Sequence, residues 1–165
     1  AALAGAAGRI MAAPGGPRIA ALESGGFDTH AGQVARLAPA LTGLDNGLTV
    51  LRQGLGEAIW ARTAVLVVTE FGRTARVNGT AGTDHGTGGV AFVLGGAVAG
   101  GRVRADWPGL GQGRLFEDRD LMPTTDLRAV AKGLLRDHLR LPPAAVDAAF
   151  PGSGGVAPEG GLIRA

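Results

Sequence analysis

The chain has 165 residues, enough for one domain with a real hydrophobic core, and sixteen basic residues against fourteen acidic ones give a formal charge of +2. Its arginines are scattered and it has no Tyr, two Trp and five Phe, so it lacks both the dense basic run and the stacking aromatics of a dedicated nucleic-acid binder. No Cys is present, which excludes disulfides, thiolate nucleophiles and cysteine metal sites, and no apolar run reaches membrane-spanning length.

The first expected element is a short helix over residues 3 to 13. Its small-residue opening, Ala2-Leu3-Ala4-Gly5-Ala6-Ala7, has no cap before it, which leaves open that the chain is the C-terminal part of a larger protein. Pro14-Gly15-Gly16-Pro17 breaks the pattern, and Arg18 to Glu23 reads as a first, short strand. From Val34 the residues Leu37, Leu41, Leu44, Leu48, Leu51 and Leu55 recur every three or four positions, the mark of a long amphipathic helix with one buried face. Gly43, Gly47 and Gly54 weaken that helix, and Asp45-Asn46-Gly47 is where it would break.

Ala64 to Thr69 is the clearest strand, apolar on both faces as in the centre of a parallel sheet covered by helices. Residues 71 to 89 form a glycine-rich loop, Val90 to Leu94 a further strand, and 100 to 124 more loops with a short strand at 102 to 104. After Pro123, Thr124 or Thr125 caps a helix that carries Leu127, Val130, Leu134, Leu135 and His138 on one face. Pro142-Pro143 stops it, and 144 to 150 adds a turn or two. The expected fold is thus α/β, a largely parallel sheet covered by helices over residues 1–150, followed by a flexible tail over 151–165.

Three polar elements punctuate these strands and loops: Asp28-Thr29-His30, Glu70-Phe71-Gly72-Arg73 and Asp84-His85-Gly86. Together they supply hard and borderline ligands of the kind a zinc, manganese or calcium ion draws from separate parts of a fold. Asp28 and His30, two apart in extended chain, leave on the same side and suit one cation; alternatively, Asp28 caps a helix starting near Ala31. Glu70, at a strand end, either meets a cation or pairs with Arg73, whose planar donors also suit a phosphate or sulfate oxygen. His85 is the strongest single ligand candidate, and Asp84 either ligates a second ion or orients an imidazole. His138 reads as a packed helix residue. No phosphate-binding loop and no serine in a nucleophile elbow is present.

Through Gly25-Gly26-Phe27-Asp28-Thr29-His30, Thr69-Glu70-Phe71-Gly72-Arg73-Thr74, Asn78-Gly79, Gly82-Thr83-Asp84-His85-Gly86, Gly100-Gly101 and Thr124-Thr125-Asp126-Leu127-Arg128, the chain resembles domain-of-unknown-function family 1501. This is a large, mostly uncharacterised bacterial family related to the alkaline phosphatase and sulfatase superfamily. The resemblance implies an alkaline-phosphatase-like fold incomplete at its N-terminus, divalent-metal binding, and export to the periplasm or medium. It also implies a missing N-terminal region that supplies a metal-binding Asp and a Ser or Thr nucleophile. By resemblance Asp28, His30 and His85 correspond to ligands of one metal and Glu70 to the second, although phosphatases commonly show Asp followed by His at Glu70-Phe71.

The activity expected from these residues is metal-assisted hydrolysis of a small anionic phosphate or sulfate ester. Arg73 would orient the anion, while Asp28, His30, Glu70, Asp84 and His85 supply the metal ligands. The competing expectation is a noncatalytic secreted binding or structural domain of the same fold, without nucleic-acid partner or membrane insertion.

Overall fold

The alanine-rich opening forms α1 (Ala2–Ala12) and the leucine stripe forms α2 (Gln33–Trp60) in a computed structural model that describes residues 1–165. The chain divides into two units, one of Ala1–Ala61 with Arg76–Asp84 and one of Arg62–Ala75 with His85–Ala165. In the first, α1 lies against α2 through glycines. A Cβ on Gly8 would stand 2.6 Å from the Leu51 carbonyl oxygen, and one on Gly54 would stand 2.7 Å from that of Gly5. The backbones therefore meet directly, with Leu51 and Leu55 buried beside the crossing. Earlier along α2 the stripe loses its cover, and Val34 and Leu41 are exposed.

Helix α2 runs unbroken through Asp45-Asn46-Gly47, because the modest propensity penalties of these residues are outweighed by cooperative propagation of a long helix anchored at the buried Leu51 and Leu55. It leaves helical geometry instead at Gly56 (φ 69, ψ 162), a conformation open to glycine at little cost.

The second unit departs most from expectation. The strand β1 (Val65–Val67) pairs antiparallel with β4 (Phe92–Leu94), and β2 (Gly72–Arg73) pairs antiparallel with β3 (His85–Gly86). These two-stranded ribbons are all the sheet there is, so the largely parallel, alkaline-phosphatase-like sheet covered by helices does not form. A parallel pair needs a crossover, usually helical; the connection from Val68 to Ala91 contains no helix, so the chain returns antiparallel. The apolar run at 64–69 marked a strand correctly but carried no information about its partner. The strands expected at Arg18–Glu23 and 102–104 are absent: both segments lie exposed without a ladder. Arg102 and Arg104 instead donate to the carbonyls of Ala99, Gly160 and Gly161.

Helix α3 (Leu127–Asp137) is capped by Asp126, whose Oδ1 accepts the Arg128 N–H at 2.8 Å, and not by Thr124 or Thr125. The Arg128 side chain and backbone donors hold the Asp126 carboxyl below its usual range, at about 2. A folded-state pKa depressed from 3.8 stabilises the fold above the unfolded value and ceases to do so as pH falls through the folded one. Asp126→Ala is therefore expected to lower the thermal midpoint at pH 7. Its deficit relative to the native chain should close as pH falls from 3.8 through about 2, as followed by circular dichroism melts.

Packed with α3 is α4 (Pro143–Ala149), whose Val146 is buried. Lys132 of α3, 1% exposed, sends its ammonium to the carbonyls of Ser153 (2.7 Å) and Val156 (3.1 Å). Residues 151–165 continue along this core. Leu162 is buried, Val98 bridges Ile163, and the Glu159 N–H donates to Ala129 O.

Candidate metal centre

In the first unit, residues 28–30 belong to no strand or helix, and the Thr29 N–H closes a tight turn on Phe27 O at 3.0 Å. Thr29 faces inward at 2% exposure, and its hydroxyl donates to Gln33 Oε1 at 3.0 Å. The same oxygen accepts from the buried Thr83 hydroxyl at 2.7 Å. The Thr83 N–H donates to Thr29 O at 3.3 Å, and a Cβ at Gly82 would lie 2.1 Å from His30 O. Only glycine there lets the two stretches lie this close. Gln33→Ala would remove an acceptor shared by two buried hydroxyls, and a buried hydrogen bond lost in this way costs about 1–3 kcal/mol at its worst. We expect a loss of about 1–3 kcal/mol in all, since a hydroxyl can turn to another acceptor, read from urea unfolding.

The first free amides of α2 are met by this same turn. Gly32 N–H donates to Thr80 O at 2.9 Å and Gln33 N–H to Ala81 O at 2.8 Å. The N-cap is Gly32, without a side-chain capping bond, so Asp28 does not cap the helix.

Asp28 and His30 both face outward. His30 Nε2 lies 2.8 Å from Asp28 Oδ1, and His30 Nδ1 lies 3.1 Å from Asp84 Oδ1. Asp84 Oδ1 also accepts from Asn78 Nδ2 at 2.9 Å. All three partners of the His30 cluster are about half exposed, and ion pairs of that kind contribute roughly 0–1 kcal/mol. The arrangement therefore adds little to stability, yet it gathers two carboxylates on one imidazole at an open surface.

Those donors suit a cation. The 2.8 Å between Asp28 Oδ1 and His30 Nε2 is a hydrogen-bond length, and two ligand atoms of a tetrahedral ion stand about 3.4 Å apart, so a small outward shift of either side chain would seat a cation between them. With Nε2 and Asp28 directed at an ion, Asp84 on Nδ1 takes the position of the carboxylate that commonly orients a ligating imidazole.

In the second unit, His85 stands on β3 opposite Arg73 on β2. The His85 ring stacks on Phe71 with centroids 4.3 Å apart, and the Arg73 guanidinium lies 4.8 Å from the Phe71 centroid. Glu70 is exposed in the bend after β1 and forms no ion pair with Arg73, since in water its charge needs no partner. Behind β3 sits a carboxylate that sequence reading missed. Asp120, 2% exposed, accepts from Arg119 Nε at 2.7 Å and Thr87 Oγ1 at 3.0 Å. The Arg119 hydrogen bond holds its pKa low against the opposing effect of burial. The Asn78 turn was visible only as an Asn-Gly dipeptide, and nothing in the local sequence marked Gln33 or Asp120.

Asp28, His30 and Asp84 are thus brought together, Arg73 and His85 face each other across a short ribbon, and Glu70 joins neither arrangement. No helix is long and apolar enough to cross a membrane. A family model described as "Protein of unknown function (DUF1501)" matches residues 4–150. No curated protein and no solved structure matches the chain.

Proposed function

Since the chain belongs to the DUF1501 family, for which no function is described, we propose that Asp28, His30 and Asp84 form the protein side of a divalent-metal centre that serves hydrolysis of a phosphate or sulfate ester. The observation that carries this reading is the His30 ring held at Nε2 by one carboxylate and at Nδ1 by another. An imidazole beside a carboxylate favours zinc or manganese over calcium, which prefers an all-oxygen shell.

A bound cation would polarise the ester oxygen and lower the pKa of a coordinated water. The chain's own contributions are to hold and orient. Asp84 fixes the imidazole, and Asp28 supplies the anionic ligand.

Elemental analysis of natively purified protein by inductively coupled plasma mass spectrometry tests this reading. Near-stoichiometric zinc or manganese is expected, lost in His30→Ala. Asp84→Asn is expected to weaken metal affinity about 10- to 100-fold. Metal-free native protein would overturn the centre. Metal retained without chelator-sensitive turnover of phosphate or sulfate esters would leave a noncatalytic metal-binding domain in its place.

A further inference from the structure

We propose that residues 102–107 are an open β edge through which two copies of this chain pair antiparallel about Ala105. The proposal is independent of the metal centre, whose Asp28, His30 and Asp84 belong to the other unit.

From residue 102 to 109 the chain makes no helix, strand, turn or bend, and from 103 to 107 its main chain takes part in no backbone hydrogen bond. Two arginines at its start nevertheless reach one point. Arg102 Nη2 donates to Gly161 O at 3.3 Å and Arg104 Nη2 donates to the same oxygen at 2.8 Å. Side chains two apart that meet one carbonyl leave the backbone on the same side, as they do in a strand. Val103 between them is 93% exposed, Trp107 is 61% exposed, and Ala105 is exposed as well. The alternation is that of a strand whose apolar side is uncovered and whose ladder is unmade.

What such an edge accepts follows from its own order of residues. Two identical strands that pair antiparallel share a two-fold axis. Centred on Ala105, that axis sets Val103 opposite Trp107 and Arg104 opposite Asp106, and each pair occurs twice. A β-branched side chain beside an aromatic one, and a cation beside a carboxylate, are favourable cross-strand combinations. Asp106 also falls diagonally beside Arg102, whose guanidinium meets only the carbonyls of Ala99 and Gly161. No neighbouring register does as well. An axis moved to Arg104 or to Asp106 sets like charges against each other, and one placed between residues sets apolar side chains against charged ones. Pro108 selects the edge, because a pair bonded through residues 103, 105 and 107 never calls for the N–H that proline lacks. A register this short buries less than the roughly 1,200 Å² of a standard interface, so the pair forms at high chain concentration.

The chain has no cysteine, so thiols can be placed one at a time. In Ala105→Cys the two introduced sulfurs face each other across the axis, with Cα atoms about 5.5 Å apart in a bonded pair, which lies within disulfide range. In Val103→Cys the more exposed position stands about 13 Å along the strands from its counterpart. Under the same mild oxidation, Ala105→Cys is expected to yield a disulfide dimer at least about 10-fold faster. Sedimentation velocity of the native chain from about 10 μM to about 1 mM should show a monomer–dimer equilibrium. Asp106→Arg, which sets like charges opposite each other twice, should raise its Kd about 10-fold or more with the thermal melt of dilute protein unchanged. A native chain that stays monomeric throughout, equal capture at the two thiol positions, or a dimer indifferent to Asp106→Arg would overturn the proposal.

Discussion

Gly54→Ala is expected to destabilise the protein by about 1–2 kcal/mol, although the same change at Gly43 or Gly47 of the same helix should stabilise it by up to about 1 kcal/mol. The intrinsic gain is common to all three positions, since alanine is the better helix former. What differs is the space. At Gly43 and Gly47 a new Cβ meets nothing within 4 Å. At Gly54 it would lie 2.7 Å from the Gly5 carbonyl oxygen, 3.1 Å from the Arg9 amide and 3.2 Å from the Gly8 Cα. These are backbone atoms, so no side chain can rotate away and the helices must separate. Overpacking of that kind costs about 1–3 kcal/mol, which exceeds the propensity gain. Gly8→Ala meets the Leu51 carbonyl at 2.6 Å and should behave alike. The double variant should cost less than the sum, because one separation of α1 from α2 accommodates both methyls. Urea titrations followed by helical circular dichroism would measure all five variants.

Lys132→Met is expected to cost about 1–3 kcal/mol. Methionine keeps most of the length and apolar stem of lysine, so the substitution isolates the ammonium. That group joins α3 to the loop beyond α4 through the carbonyls of Ser153 and Val156, and reaches Asp147 Oδ1 at 3.4 Å. Removing it takes that donor from the half-buried Val156 carbonyl, while Ser153 O keeps the Val156 N–H at 2.9 Å; a buried acceptor left unsatisfied costs about 1–3 kcal/mol. Asp147 is 65% exposed and is solvated either way, so Asp147→Asn should shift stability by less than about 1 kcal/mol. A comparable loss from both variants would show that the ion pair, and not the carbonyl contacts, holds the loop. Thermal melts of the two at neutral pH decide the matter.

Sequence periodicity located most of the helices and the two longer strands because periodicity is a local property. The leucines of α2, the stripe of α3 and the apolar run at β1 each carry their own signal. Strand pairing does not. Nothing in Val65-Leu66-Val67 specifies Phe92 as an antiparallel neighbour, and Arg18 to Glu23 has the composition of a strand without a partner to make it one. The site divides the same way. The two-residue spacing of Asp28 and His30 already implied a shared face. The Asn78 amide reaches back 48 residues to the His30 carbonyl, and a loop closure of that length leaves no trace in spacing. Lys132 was hidden for a related reason: between Ala131 and Gly133 it reads as the polar face of a helix, and only the fold of residues 153–156 turns that face inward.

The sole lysine of the chain is therefore shielded from solvent in the native state. Amine-directed reagents such as activated esters should leave Lys132 unmodified until α3 and the 153–156 loop part, and then label it. Its rate of acylation, resolved by mass spectrometry of the peptide that contains it, becomes a single-site clock for local opening of this region. Lys132 also offers no handle for lysine-coupled immobilisation of the native protein.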